Sequence, residues 1–268
     1  MGFAVLLNEM VPLPLDKVAP IIAKAEHIVL ADATRALRNS TGFLVKNLLQ
    51  SEAEMIAAEL NSIGIGCFVL DDTTMYHPPE YILVNTALVK EDGFYAIDLY
   101  GNTAVFDWRN LIFISIGKIM PHKAERYNLG SDNSGETFRQ AARASFTLAT
   151  GIPMSFGETV PQKKPAEMTK ARFVLDLFFK SPQEAHFRIY GDGFNYGYLG
   201  SRLSLSSSQN FRFLVEDIVH SAPHSYGNKG LDSFLGRGAQ KNTEYPDMKI
   251  FDEENLWMLQ IVWINLQH

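Results

Sequence analysis

The chain is short of the features that announce a chemistry. One of its 268 residues is cysteine, Cys67, which excludes an intramolecular disulfide or a multi-cysteine zinc site and suits a reducing compartment. Charged residues make up only 20%, against 46% hydrophobic and 12% aromatic, a balance that excludes a disordered, self-repelling polymer. Uninterrupted apolar runs fall short of the roughly 18–20 residues that span a bilayer, so no membrane insertion is expected. The opening MGFAVLLNEM has no basic n-region, and Asn8 and Glu9 break its apolar stretch, which predicts a strand rather than a secretion signal. Leu6 stands where N-myristoylation needs Ser or Thr. The expected location is cytoplasmic.

Basic charge is also scarce. There are 24 Lys and Arg against 30 Asp and Glu, a net charge of −6, divided as −6 over residues 1–120, +3 over 121–172 and −3 over 173–268. A phosphate backbone needs a clustered basic surface, so nucleic acid is not an expected partner. The basic excess of the middle segment is spread among Pro, Gly, Ser and Thr and resembles a solvated loop.

Catalytic signatures are missing too: G-x-S-x-G, H-E-x-x-H and G-x-x-x-x-G-K-[ST] do not occur. Gly64 and Gly66 follow an expected helix rather than a strand, the wrong setting for dinucleotide binding. His220 and His224 have i, i+4 spacing, but Pro223 between them ends the helix that would align them. His77, His122 and His186 have no companion acid or cysteine at an informative spacing. Asp98, Asp107, Asp176 and Asp192 lie in or beside expected strands, where converging carboxylates would allow acid–base chemistry or cation binding. Cys67 lies in an apolar strand, where a buried thiol is inert. No cofactor is expected.

What is present is periodicity. Phe3 to Leu7 is an apolar strand run. Val18, Ile21, Ile22 and Ala25 recur at helical spacing, with Pro20 expected near the first turn or at a kink. A second short helix, ADATRALRN, stops before Gly42, and Phe43 to Lys46 is a strand. Ser51 and Glu54 form an S-x-x-E capping box before a third helix that Gly64 closes, and Cys67 to Leu70 is a strand again. This β-α-α-β-α-β order over residues 1–72, with QSEAEMIAAELNSIGIGCFVL at its end, resembles the C-terminal domain of the bacterial ribosomal stalk protein and the related layout of the Clp-protease adaptor. The resemblance implies a small module that presents a helical face to another protein. The stalk domain carries a lysine-rich face there, whereas this chain has Asp16, Lys17, Lys24, Glu26, Asp32, Arg35 and Arg38.

Residues 73–79, with His77-Pro78-Pro79, form the expected linker. Strands follow: YILVNTALVK, FYAIDLY, TAVFDW and LIFISIG, separated by turn residues and expected as an antiparallel meander. Residues 121–170 are an expected insertion with one helix around Thr137 to Thr150. RFVLDLFF, HFRIY and FNYGYLG resume the strands, and SSSQNFRFLVEDIVHSAP is a serine-capped helix with Phe211, Leu214, Val215 and Ile218 on one face. Seven strands and a closing helix over residues 80–222 resemble a pleckstrin-homology-like barrel, which implies binding of peptides, proteins or lipid headgroups. Its first strand-strand loop, Lys90-Glu91-Asp92-Gly93, is too acidic for phosphoinositides. Residues 223–268 form a Gly-rich tail with a terminal helix or strand; a helix capped by Asp252 would gather Leu256, Leu259, Val262, Trp263 and Leu266 near one face.

The expected fold class is therefore α+β, a β-α-α-β-α-β module followed by an antiparallel helix-capped barrel with a long insertion. The expected function is non-enzymatic protein–protein interaction, as an adaptor or assembly component. A metal-assisted hydrolase using strand carboxylates and a small-molecule-binding sensor are the alternatives. Candidate partner-binding residues are the aromatics Trp108, Phe194, Tyr196, Tyr198, Trp257 and Trp263, for which core packing is the competing reading.

Overall fold

A computed structural model describes residues 2–38, 40–98, 100–120, 170–239 and 243–267. The helix expected around Thr137 to Thr150 lies outside the described residues, as does the insertion apart from Lys170. The fold is mixed α+β, in two units: residues 1–77 with 249–268, and residues 78–248. The terminal helix is thus not part of a separate tail.

In the first unit a three-stranded antiparallel sheet has the order β2-β1-β3, from β1 (Phe3–Leu7), β2 (Phe43–Leu48) and β3 (Cys67–Asp71). Helices α1 (Leu15–Ala25), α2 (Leu30–Arg38) and α3 (Gln50–Ser62) supply Val18, Ile22, Leu37, Ile56 and Leu60 to one core with Val5, Leu6 and Val45. Pro20 is in the second turn of α1 rather than the first. Its side is exposed, so water can satisfy the carbonyl that the missing N–H leaves free. The capping box also sits elsewhere: α3 begins at Gln50, and the Glu52 carboxylate accepts the Leu49 N–H at 3.0 Å. Glu54 instead accepts from Gln50 Nε2 at 2.8 Å.

The last helix, α6 (Met248–Gln267), belongs to this core through Trp257, which is buried. Its Nε1 donates to Leu7 O at 2.9 Å. Gly42, at φ +104°, lies directly under the Trp257 ring, where a Cβ would overlap the indole. Helix α2 ends at Arg38, four residues before the glycine expected to stop it, and the positive φ of Gly42 serves this close approach instead. Gln260, one turn on, accepts the Tyr76 N–H and donates to Tyr76 O, both at 2.8 Å, and Trp263 stacks on the Tyr76 ring at 4.5 Å.

In the second unit the run YILVNTALVK splits between two sheets. β4 (Ile82–Leu83) pairs in parallel with β10 (Ala185–Tyr190), whereas β5 (Ala87–Lys90) pairs antiparallel with β6 (Gly93–Ile97). The small sheet has the order β5-β6-β7, ending in β7 (Thr103–Phe106). There the meander leaves its plane: Asp107 accepts the Arg109 N–H at 2.8 Å and caps a 3-10 turn, Trp108–Asn110. That turn carries the chain into β8 (Leu111–Ile119) of a second sheet, ordered β11-β8-β9-β10-β4, with β9 (Arg172–Phe179), β11 (Tyr226–Gly227) and, also on β8, β12 (Glu244–Tyr245). β7 does not pair with β8, and no closed barrel forms among the described residues. FNYGYLG is not a strand. Asn195 makes one bridge to Thr86, then its Oδ1 accepts the Gly197 N–H at 2.9 Å and a 3-10 turn, Gly197–Arg202, follows.

Phe94, Phe106, Phe179 and Phe187 fill the space between the two sheets, with Phe211, Leu214, Val215 and Ile218 of α4 (Ser207–Ser221). Beside β8 the two parallel pairings leave a gap, which Asn228 fills. Its Oδ1 accepts the Ile116 N–H at 3.1 Å and its Nδ2 donates to Ile116 O at 3.0 Å. The same residue caps α5 (Lys229–Phe234) by accepting the Leu231 N–H at 2.8 Å. Gly230 in that helix comes so near Ile116 O that a Cβ would overlap it. Asn228→Leu should therefore strand two buried backbone groups and destabilise the second unit by about 2–6 kcal/mol, from 1–3 per unsatisfied group. Chemical denaturation of the full chain measures this, and an unchanged midpoint would contradict the role.

Candidate functional site

The six candidate aromatics are occupied mainly within the fold. Trp108 is buried, donates from Nε1 to Lys90 O at 2.7 Å and meets Phe94 edge-on. Phe194 and Tyr196 are buried against each other, and Tyr196 Oη donates to Gly191 O at 2.6 Å. Tyr198 is half-buried and donates to Asp217 Oδ2 at 3.0 Å, where Arg202 also binds. Burial and the Asp217 charge push the Tyr198 hydroxyl pKa up. Trp257 is the buried clamp of the first unit, and half-buried Trp263 lies on Tyr76. The alternating rings of Phe194, Tyr196 and Tyr198 form no strand platform, because the segment that bears them turns into a 3-10 helix.

The four aspartates do not meet either. Asp98 holds its own turn through the Tyr100 and Asn102 N–H groups, both at 2.8 Å. Asp107 caps its 3-10 turn and pairs with Arg109. Asp192 pairs with Arg172 at 2.5 Å. Among the described residues no three His, Cys, Asp or Glu side chains are grouped as metal ligands.

Asp176 has the most unusual setting. It is fully buried in β9 and aligned with Ser115 on β8 and Arg188 on β10. This row alternates with Leu175 and Leu177, so it occupies the sheet face opposite the apolar core. Arg188 grips the carboxylate with two bonds, Nε to Oδ1 at 2.8 Å and Nη2 to Oδ2 at 2.6 Å. The Tyr81 ring covers the guanidinium at 4.3 Å. His186 Nε2 lies 3.0 Å from Oδ2. Sequence spacing concealed the pair because His186 stacks on its cross-strand neighbour Phe178 and reaches Asp176 diagonally. The order is wrong for nucleophilic catalysis: the carboxylate strand separates Ser115 from His186, whereas a triad places the base between nucleophile and acid. Desolvation of Asp176 opposes its charge, but His186 and Arg188 outweigh it and hold the pKa below the usual carboxylate range.

Exposed apolar side chains occur on both units. In the first unit, α1 ends with His27 in the left-handed region at φ 54°, while the Ile28 N–H donates to Ala23 O at 3.1 Å. This turn exposes three consecutive apolar residues, Ile28 at 36%, Val29 at 65% and Leu30 at 53%. In the second unit, an open groove of about 630 Å³ runs past Asp92, Val105, Asp107, Arg109 and Gln183, beside the β7 edge. Neither surface contains a nucleophile and base within reach of each other. Among the described residues no helix is long and apolar enough to cross a membrane. Comparison of the chain with protein-family models, curated proteins and solved structures returns no match.

Two outcomes are expected. A carboxyl whose folded pKa lies below its unfolded value of about 4 stabilises fully above that value and ceases to do so as pH falls through the folded pKa. The second unit should lose stability as pH drops below about 5, and Asp176→Asn should lower stability at pH 7 while flattening this acid limb; equal acid slopes in denaturation series would contradict it. Burial pushes the Cys67 thiol up to about 11. It should resist iodoacetamide at pH 8 in the native chain and react once unfolded, as intact-mass measurement would show.

Proposed function

We propose that this chain is a non-enzymatic protein-binding adaptor or assembly component of the cytoplasm, and that the tip between α1 and α2 is its contact surface. The observation that carries this reading is the exposed Ile28-Val29-Leu30 run, held out by a non-glycine residue at positive φ. A left-handed conformation at an L-residue costs about 1–2 kcal/mol, and such strain recurs where a segment must be presented to a ligand. Three large apolar side chains in succession are unfavourable in water unless a partner covers them. The stalk-like layout supports the same surface, since its first two helices are the ones that recruit proteins. Mixed charge around the tip, from Lys24, Glu26, Asp32 and Arg35, favours a partner with an apolar centre over one chosen by net charge. The paired aspartates and the raised thiol pKa favour binding over hydrolysis.

Affinity purification of the full chain from its native cells, beside Val29→Glu and the distant control Leu205→Glu, tests the reading. A specific partner should fall about tenfold or more with Val29→Glu, the scale of a central apolar hot spot, and stay with Leu205→Glu. Equal recovery from both variants, or no enrichment at all, would overturn it.

A further inference from the structure

The open edge of the small sheet carries a second inference, on a different unit and independent of the α1–α2 tip. In an antiparallel ladder, alternate residues direct their N–H and C=O toward one neighbour and then the other. The Asp98 N–H donates to Asn102 O at 3.0 Å, which fixes the alternation between β6 and β7. Ala104 and Phe106 then bond to Ala96 and Phe94, while Thr103 and Val105 direct both backbone groups away from β6. Among the described residues no strand meets them, because the Asp107-capped turn has taken the chain to the other sheet.

Three features beside this edge make it more than an unprotected margin. Edge strands are usually blunted by a lysine, a proline or an inward charge; β7 is TAVF and carries none, and Val105 is 40% exposed. A groove of about 630 Å³ opens at the Phe106 end of the edge, where Val105 lines it together with Asp92, Asp107 and Gln183. At the Phe106 end lies Asp92, whose carboxylate accepts the Tyr95 hydroxyl at 2.5 Å but meets no cationic side chain within ion-pair distance among the described residues. The nearby Asp107 is already neutralised by Arg109.

We propose that the β7 edge binds an extended segment of a partner polypeptide as a fourth strand, with a lysine or arginine of that segment reaching Asp92. Backbone hydrogen bonds to Thr103 and Val105 provide the attachment, the exposed Val105 side chain provides apolar contact, and Asp92 selects for a basic residue. This is strand addition, in which main-chain bonds give affinity and side chains give selectivity.

The probe is a capped, fluorescein-labelled heptapeptide of alternating valine and lysine, titrated against the full chain by fluorescence anisotropy at low salt. Two controls are its glutamate counterpart and a form N-methylated on alternate amides. The lysine peptide should bind and slow hydrogen exchange at Thr103 and Val105. The glutamate and N-methylated forms should not bind, and Asp92→Asn should weaken the lysine peptide by up to about fivefold, as expected for an exposed charge pair. N-methylation alters only the probe, so that result does not depend on how a protein variant folds. Val29→Glu should bind the peptide as the unaltered chain does, which separates this site from the α1–α2 tip. No binding, equal binding of the glutamate or N-methylated form, or unchanged exchange at β7 would overturn the proposal.

Discussion

A buried backbone N–H or C=O without a partner costs as much as a lost hydrogen bond, and at four places among the described residues a side-chain amide supplies both partners of a backbone segment. Asn61 pairs with both backbone groups of Cys67, Asn210 with both of Ser204, Asn228 with both of Ile116 and Gln260 with both of Tyr76. Each carboxamide acts as a strand one residue long. These pairings let a helix end beside β3, a loop enter α4, a split edge run along β8, and the chain leave the first unit over α6. The fold uses short elements because these residues complete what the elements leave unpaired.

Polar groups are treated alike in the charged parts of the molecule. Asp98, Asp107 and Asp192 hold turns and neighbouring arginines, and Asp176 lies across from Arg188 on the far face of a sheet. A pair that is fully desolvated gains little net stability, yet removing one partner is severe. Among the described residues these aspartates hold turns, arginines and strands together.

Local signals in the sequence were sound where the governing contact is local. The period of Val18, Ile21 and Ile22 gave α1, and the serine before Phe211, Leu214 and Val215 gave α4. They failed where a distant residue decides. Asp107 looked like one more strand aspartate, although it caps the turn between β7 and β8, which do not pair. Asn195 similarly ends a run that its aromatics favour as strand. His186 and Asp176 are neighbours only across β9 and β10. Gln260 was the clearest missed signal, a lone amide inside LWMLQIVWI, on a helix buried enough to require a reason for it.

Trp257 joins its indole N–H to a carbonyl 250 positions earlier. During synthesis the first sheet and its three helices leave the ribosome long before that indole exists, and the whole second unit is made in between. The module must wait with the hollow above Gly42 unfilled, holding apolar surface that is covered only by a helix translated after the second unit. Its assembly is therefore timed by translation: a sheet made before the second unit is completed by a helix made after it.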